Sequence, residues 1–179
     1  MSCGFAWWRR FVCAPGVLGL VLSACGGTAR DVQVARLPLD VVLITVDTLR
    51  ADRVGGSLTP TINAIGARGA RFLAARTTVP LTLPAHASLM TGANPPVNGV
   101  RLNGVHRLDG TRPTLARLFK EAGRDTAAVV GAFVLDRQFG LGDGFAAYDD
   151  QIPRSPDASL RLEAERPASA VADRAIAWI

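Results

Sequence analysis

The sequence predicts a layered α/β/α domain built on a mainly parallel sheet. Three observations lead there. Asp40-Val41-Val42-Leu43-Ile44-Thr45-Val46 is a nearly continuous β-branched and apolar run, the pattern of a strand buried on both faces. Thr126 to Val130 is a second short run of the same kind. Segments of helical period separate such runs, and this alternation implies βαβ units and a layered core.

The residues ahead of that domain read as a targeting segment. Arg9-Arg10 precede an apolar stretch, Phe11 to Leu22, that is too short to span a bilayer comfortably. Leu22-Ser23-Ala24-Cys25 resembles the lipobox of bacterial lipoproteins, in which the cysteine is acylated and becomes the new N-terminus. An ordinary cleaved signal peptide or an uncleaved anchor is the alternative. The expected organisation is therefore a lipoprotein signal peptide over 1–24, a flexible tether over 25–36 and a globular part over 37–179. Lipidation at Cys25 implies a bacterial cell-envelope location, lipid-anchored on the periplasmic or outer-surface face, with the membrane as a partner through the lipid. Cleavage there removes Cys3 and Cys13, so no disulfide is expected.

Composition excludes other classes. With 49% hydrophobic and 20% charged residues over 179 positions, the chain is globular rather than disordered. The net charge of +5 falls by two without residues 1–24, and Lys120 is the only lysine. No basic run with interleaved aromatics appears, so nucleic acid is not an expected partner.

Within the globular part, Asp47 closes the first strand. A carboxylate at the carboxyl end of a strand is either a turn residue bonding its own backbone or a hard oxygen ligand for a cation. Thr59-Pro60 opens a helix carrying Ile62 and Ile65, with Gly69 at its exit. Ala70 to Thr77 reads as a short strand. Ala93 to Gly110, rich in Pro, Gly and Asn, reads as a surface loop. Pro113 to Ala122 is a helix with Leu115, Leu118 and Phe119 on one face, stopped by Gly123. Gln138 to Asp150 reads as loop, Ser155 to Arg166 as a polar stretch of poor pattern, and Ala168 to Ile179 as helix. The apolar ending at Trp178-Ile179 suggests a truncated chain, the N-terminal part of a larger domain.

The stretch Val79-Pro80-Leu81-Thr82-Leu83-Pro84-Ala85-His86-Ala87-Ser88-Leu89-Met90-Thr91-Gly92 organises the rest. Pro80 and Pro84 predict a loop breaking into a short helix, and Gly92 a left-handed stop. Thr82 sits where an N-cap hydroxyl would sit, facing a cluster of free N–H groups suited to an anionic tetrahedral group. Plain capping is the other reading of Thr-x-Pro.

The segment Asp40 to Asp52 with Thr59-Pro60-Thr61 resembles the opening of the sulfatase family within the alkaline phosphatase superfamily. The Thr82 stretch, continuing through Pro95 to Asn103, resembles that family's nucleophile motif. It also resembles the nucleotide pyrophosphatase/phosphodiesterase branch, which carries a similar Thr-x-Pro-x-His-x-Ser-Leu-x-Thr-Gly run. Thr114 to Gly123 and Thr126 to Asp150 look like the next sulfatase segment, so the likeness covers about residues 38–179. It implies an alkaline-phosphatase-like fold, with 37–179 as the N-terminal part of a sulfatase-like catalytic domain.

By that resemblance Asp47 matches the first carboxylate metal ligand and Thr82 the nucleophile, which would share the metal. Asn103 matches an asparagine that contacts an oxygen of the transferred group. The chain departs from the pattern in four places. Thr82 cannot become formylglycine, because its β-carbon carries a methyl group. Thr48 replaces a second aspartate, and His86 stands in place of an arginine. Gly131 to Leu135 replaces a segment bearing a substrate-binding Lys and His. His86, one turn beyond Thr82, could contact substrate or could be a helix residue hydrogen-bonding the loop. Asp52 and His106 read as surface residues.

The resemblance thus implies a metal-dependent hydrolase of sulfate or phosphate esters with a threonine nucleophile, acting on a small-molecule or glycan ester. Oxygen ligands favour Ca²⁺, Mg²⁺ or Mn²⁺, with Zn²⁺ if histidines join the site. A phospho-group transferase acting on envelope glycans or lipids, and a non-catalytic surface lipoprotein or inactive fragment, are the alternatives. The 179 residues alone are expected to be inactive, because the remaining metal ligands of this superfamily lie later in the chain. The enzymatic reading requires the side chains of Thr82 and Asp47 to meet closely enough for one ion to touch both.

Overall fold

The computed structural model describes residues 39–153 and 164–179. The targeting segment, Cys25 and the tether lie outside the described residues. The chain divides into two units, 1–44 and 45–179. In the first, residues 39–44 form neither helix nor strand, and Val41, Val42, Leu43 and Ile44 are exposed. The strand expected over Asp40–Val46 is therefore absent. An extended residue leaves an N–H and a C=O for a neighbour to satisfy. The one sheet among the described residues has two strands, neither of which is this run.

In the second unit, α1 spans Pro60–Arg68, with Pro60 in its first turn and Gly69 after it. Thr59 does not cap the helix backbone. Its hydroxyl accepts from Gly55 N–H and contacts Asn63, which ties the preceding loop to the helix. The strand expected over Ala70–Thr77 is also absent, and Phe72 and Leu73 there are exposed. Among the described residues this segment pairs with no strand.

Helix α2 spans Thr82–Thr91 and ends at Gly92, whose φ of +64° is the left-handed conformation expected. It buries Leu83, Pro84, Ala87 and Ser88 on one face. Leu83 and Ala87 enter a core with Val100, Leu108, Phe133, Val134, Leu135, Phe139 and Leu141. Phe133 and Phe139 meet edge to face at 5.8 Å. The loop expected over 93–110 contains a single helical turn, α3, Pro95–Asn98. Asn98 is buried there, yet its amide is satisfied. It donates to Ala93 O at 2.7 Å and to Ser88 Oγ at 3.3 Å, and accepts from Val100 N–H at 2.9 Å. These bonds fasten the loop that carries Asn103 to the far end of α2.

Helix α4 is Leu115–Glu121, capped by Thr114. The Thr114 hydroxyl accepts from Arg117 N–H at 3.1 Å and donates to Asp143 O at 2.7 Å. It is almost fully buried, so Thr114→Ala should cost about 2 kcal/mol, at the upper end for a cap. Chemical denaturation measures this; a cost below about 0.5 kcal/mol would show the cap to be replaced by water. Gly144, at φ +91°, brings its backbone against Arg117 in the same helix.

Strand β1, Ala127–Val129, falls within the expected run and pairs in parallel with β2, Ala147–Asp149. Gln138–Asp150 is thus not wholly loop. It contains β2 and part of the crossover, residues 130–146, which a parallel pair requires and which carries 3-10 turns at Phe133–Leu135 and Arg137–Phe139. Ala-Tyr-Asp has little intrinsic strand preference; the ladder with β1 makes it a strand. Helix α5, Ala168–Trp178, packs beside β1. Two arginines lock the end of β2: Arg166 to Asp149 Oδ1 at 3.0 Å and Arg174 to Asp149 Oδ2 at 2.7 Å. The result is a mixed helix and strand architecture with a small parallel sheet.

Candidate functional site

Two short segments meet at the start of α2. One is the turn after residue 45, carrying Thr45 and Asp47; the other is the first turn of α2, carrying Thr82 and His86. Thr82 donates its hydroxyl proton to Asp47 Oδ2 at 2.9 Å. His86 Nδ1 lies 2.8 Å from Thr82 O, and His86 Nε2 lies 3.1 Å from Thr45 Oγ1. A carbonyl can only accept, so Nδ1 carries the proton and the Thr45 hydroxyl donates to Nε2. A substrate-binding role for His86 would require one ring nitrogen to give up a partner it already has.

Thr82 is the first residue of the helix rather than its N-cap. Leu81 occupies the cap position with extended backbone, and no side chain caps the helix. The hydroxyl is directed to Asp47 instead. The expected cluster of free N–H groups is also absent, for a simple reason. Pro84 has none, Leu83 N–H donates to Asn103 Oδ1 at 2.9 Å, and Ala85 N–H donates to Leu81 O. Among the described residues only Thr82 N–H is left without a partner at this helix start.

Asn103 reaches this point from the loop after α3. Because Leu83 N–H is a donor, the contacting atom is the amide oxygen, and the two amide N–H groups have no partner among the described residues. Asn103→Asp keeps the acceptor and removes those donors. It should leave thermal stability nearly unchanged, because Leu83 N–H keeps its acceptor; a loss above about 1 kcal/mol in a thermal melt would show that the amide N–H groups are bonded after all. His106, expected at the surface, is half-buried, and its Nδ1 accepts from Leu102 N–H at 3.2 Å. Asp52 pairs with Arg50 at 2.8 Å on the surface.

A divalent cation can be tested against these oxygens. Ligands about 2.1 Å from an octahedral Mg²⁺ sit about 3.0 Å from one another, and the 2.9 Å spacing of Asp47 Oδ2 and Thr82 Oγ1 fits one edge of such a shell. Both are hard oxygen donors. They form the start of a shell: among the described residues no three His, Cys, Asp or Glu side chains stand together as a metal group. A bound cation would lower the pKa of the hydroxyl and polarise the ester oxygens. Thr48, beside Asp47, has φ +53°. That is an uncommon conformation for a β-branched residue, and such outliers cluster where side chains must be aimed.

Thr45 was not legible as part of this group, because it lies inside an apolar run. The signal was present in its spacing: Thr45 and Asp47, two apart, are the polar positions at the end of that run.

Residues 41–129 match the family model of the type I phosphodiesterases / nucleotide pyrophosphatases. The matched stretch contains Thr45, Asp47, Thr82, His86 and Asn103. Of the two branches that the Thr82 motif resembles, the match is to the phosphodiesterase one. No curated protein and no solved structure matches the chain.

Proposed function

We propose that this chain carries the nucleophile side of a metal-dependent phosphodiester hydrolase. The 2.9 Å contact between Thr82 and Asp47, inside the stretch that matches the phosphodiesterase family, is the observation that carries this reading. Asp47 holds the hydroxyl proton and leaves the lone pairs of Thr82 Oγ1 available for attack. Thr82 forms a bond to phosphorus as the bond to the leaving alcohol breaks. The intermediate is a threonyl phosphodiester that keeps the second ester group, and the leaving alkoxide takes a proton from solvent; water then cleaves the bond from phosphorus to Thr82 Oγ1, the phosphomonoester departs, and Asp47 returns the proton to Oγ1. The Asn103 amide and Thr82 N–H donate to the phosphoryl oxygens as charge builds on them. Asp47 and Thr82 would supply two ligands to Mg²⁺, Mn²⁺, Ca²⁺ or Zn²⁺, which would polarise the ester oxygens. Lipidation at Cys25 and an envelope location complete the proposal and rest on the sequence motif. No helix among the described residues is long and apolar enough to cross a membrane.

The test is a side-by-side assay of the full-length protein on bis(p-nitrophenyl) phosphate and p-nitrophenyl sulfate, with divalent cation and then with chelator. Diester turnover that exceeds sulfate turnover and disappears on chelation is the expected result. Faster turnover of the sulfate would restore a sulfatase, and chelator-resistant turnover would remove the metal from the scheme.

A further inference from the structure

We infer that Thr45 and His86 are positioning residues that hold Asp47 against Thr82, an inference that rests on the nucleophile reading above. Residues 45–50 are all exposed, so no apolar packing fixes the turn that carries Asp47. Two polar links join it to α2: Asp47 to Thr82, and Thr45 to His86. One hydrogen bond sets a distance and leaves the turn free to swing about it. A second, two residues away on the turn and one helical turn away on α2, sets the orientation as well. His86 suits this task because its Nδ1–H is engaged by Thr82 O, which immobilises the ring and leaves Nε2 as an acceptor in a fixed place. The link therefore runs from Thr45 through the imidazole to the backbone of the nucleophile itself. A nucleophile held within a fraction of an ångström of its working geometry reacts faster at unchanged substrate affinity, so the pair acts on kcat and not on KM.

The chain has two histidines, and the structure assigns them opposite tautomers. His86 carries its proton on Nδ1. His106, whose Nδ1 accepts from Leu102 N–H, carries it on Nε2. Long-range ¹H–¹⁵N spectra of the neutral rings distinguish the two forms without any turnover. The second arm is kinetic. Thr45→Val should lower kcat on an aryl phosphodiester about five- to tenfold, the worth of one hydrogen bond, with KM unchanged and Thr45→Ser recovering the rate. His86→Asn, which keeps a donor near Thr82 O but cannot reach Thr45, should match Thr45→Val, and the double variant should be no slower than either. An Nε2–H tautomer at His86, or Thr45→Val with wild-type kcat, overturns the inference. Equal losses in Thr45→Val and Thr45→Ser do so too, because they would mark a packing role. Turnover that survives Thr82→Ala removes the nucleophile reading itself, whatever the tautomer.

Discussion

Thr82→Ala is expected to lower kcat of the full-length protein on an aryl phosphodiester by at least about 10³-fold, because it removes the hydroxyl that forms the covalent intermediate. Thr82→Ser keeps the oxygen and should stay within about tenfold of wild type. The fold should be nearly indifferent to either change. The side chain's recorded bond is to an exposed carboxylate, so its removal costs at most about 1 kcal/mol. Activity and stability therefore separate at this position. Acid-quenched samples taken during turnover should contain Thr82 esterified through Oγ1 to the aryl phosphate that the diester retains. Wild-type kcat in Thr82→Ala would mean that Asp47 merely anchors a helix start.

The largest structural effect is expected at Gly144. A Cβ there would lie 2.1 Å from Arg117 N and 2.5 Å from Arg117 Cα, both backbone atoms of α4, and φ is +91°. Neither the clash nor the dihedral can be relieved by turning a side chain. Gly144→Ala combines overpacking with left-handed strain, and should destabilise by about 3–5 kcal/mol. Gly92 is the control. It also has positive φ, but nothing lies within 4 Å of its missing Cβ, so Gly92→Ala should cost only about 1 kcal/mol. Thermal melts of the two variants decide the matter; equal losses would show that α4 moves aside at no cost.

The helices were legible because their signals are local. Thr59-Pro60, the Pro80/Pro84 pair, Gly92, and the Leu115, Leu118, Phe119 stripe each act within one or two turns, and α1, α2 and α4 lie where these residues place them. Strands depend on partners far along the chain. The strongest strand signal, Val41 to Val46, forms no strand among the described residues, whereas the weak Ala147-Tyr148-Asp149 becomes β2 because β1 lies next to it. The site shows the same division. The motif spacing led to Asp47, Thr82, His86 and Asn103, and the fold brings all four to the first turn of α2. What pattern could not supply was the disposition of hydrogen bonds: that Asn103 takes the Leu83 N–H, and that Thr45 takes one end of the imidazole.

The bare apolar run from Val41 to Val46 also governs how this polypeptide behaves in a tube. Six consecutive uncharged residues, rich in β-branched side chains and free of proline, carry the composition of segments that stack into intermolecular cross-β. Their side chains face water here, with no charge inside the run to deter a second molecule from aligning with it. Self-association should therefore climb steeply with concentration, and colloidal behaviour rather than thermal unfolding would set the practical ceiling for handling the isolated chain.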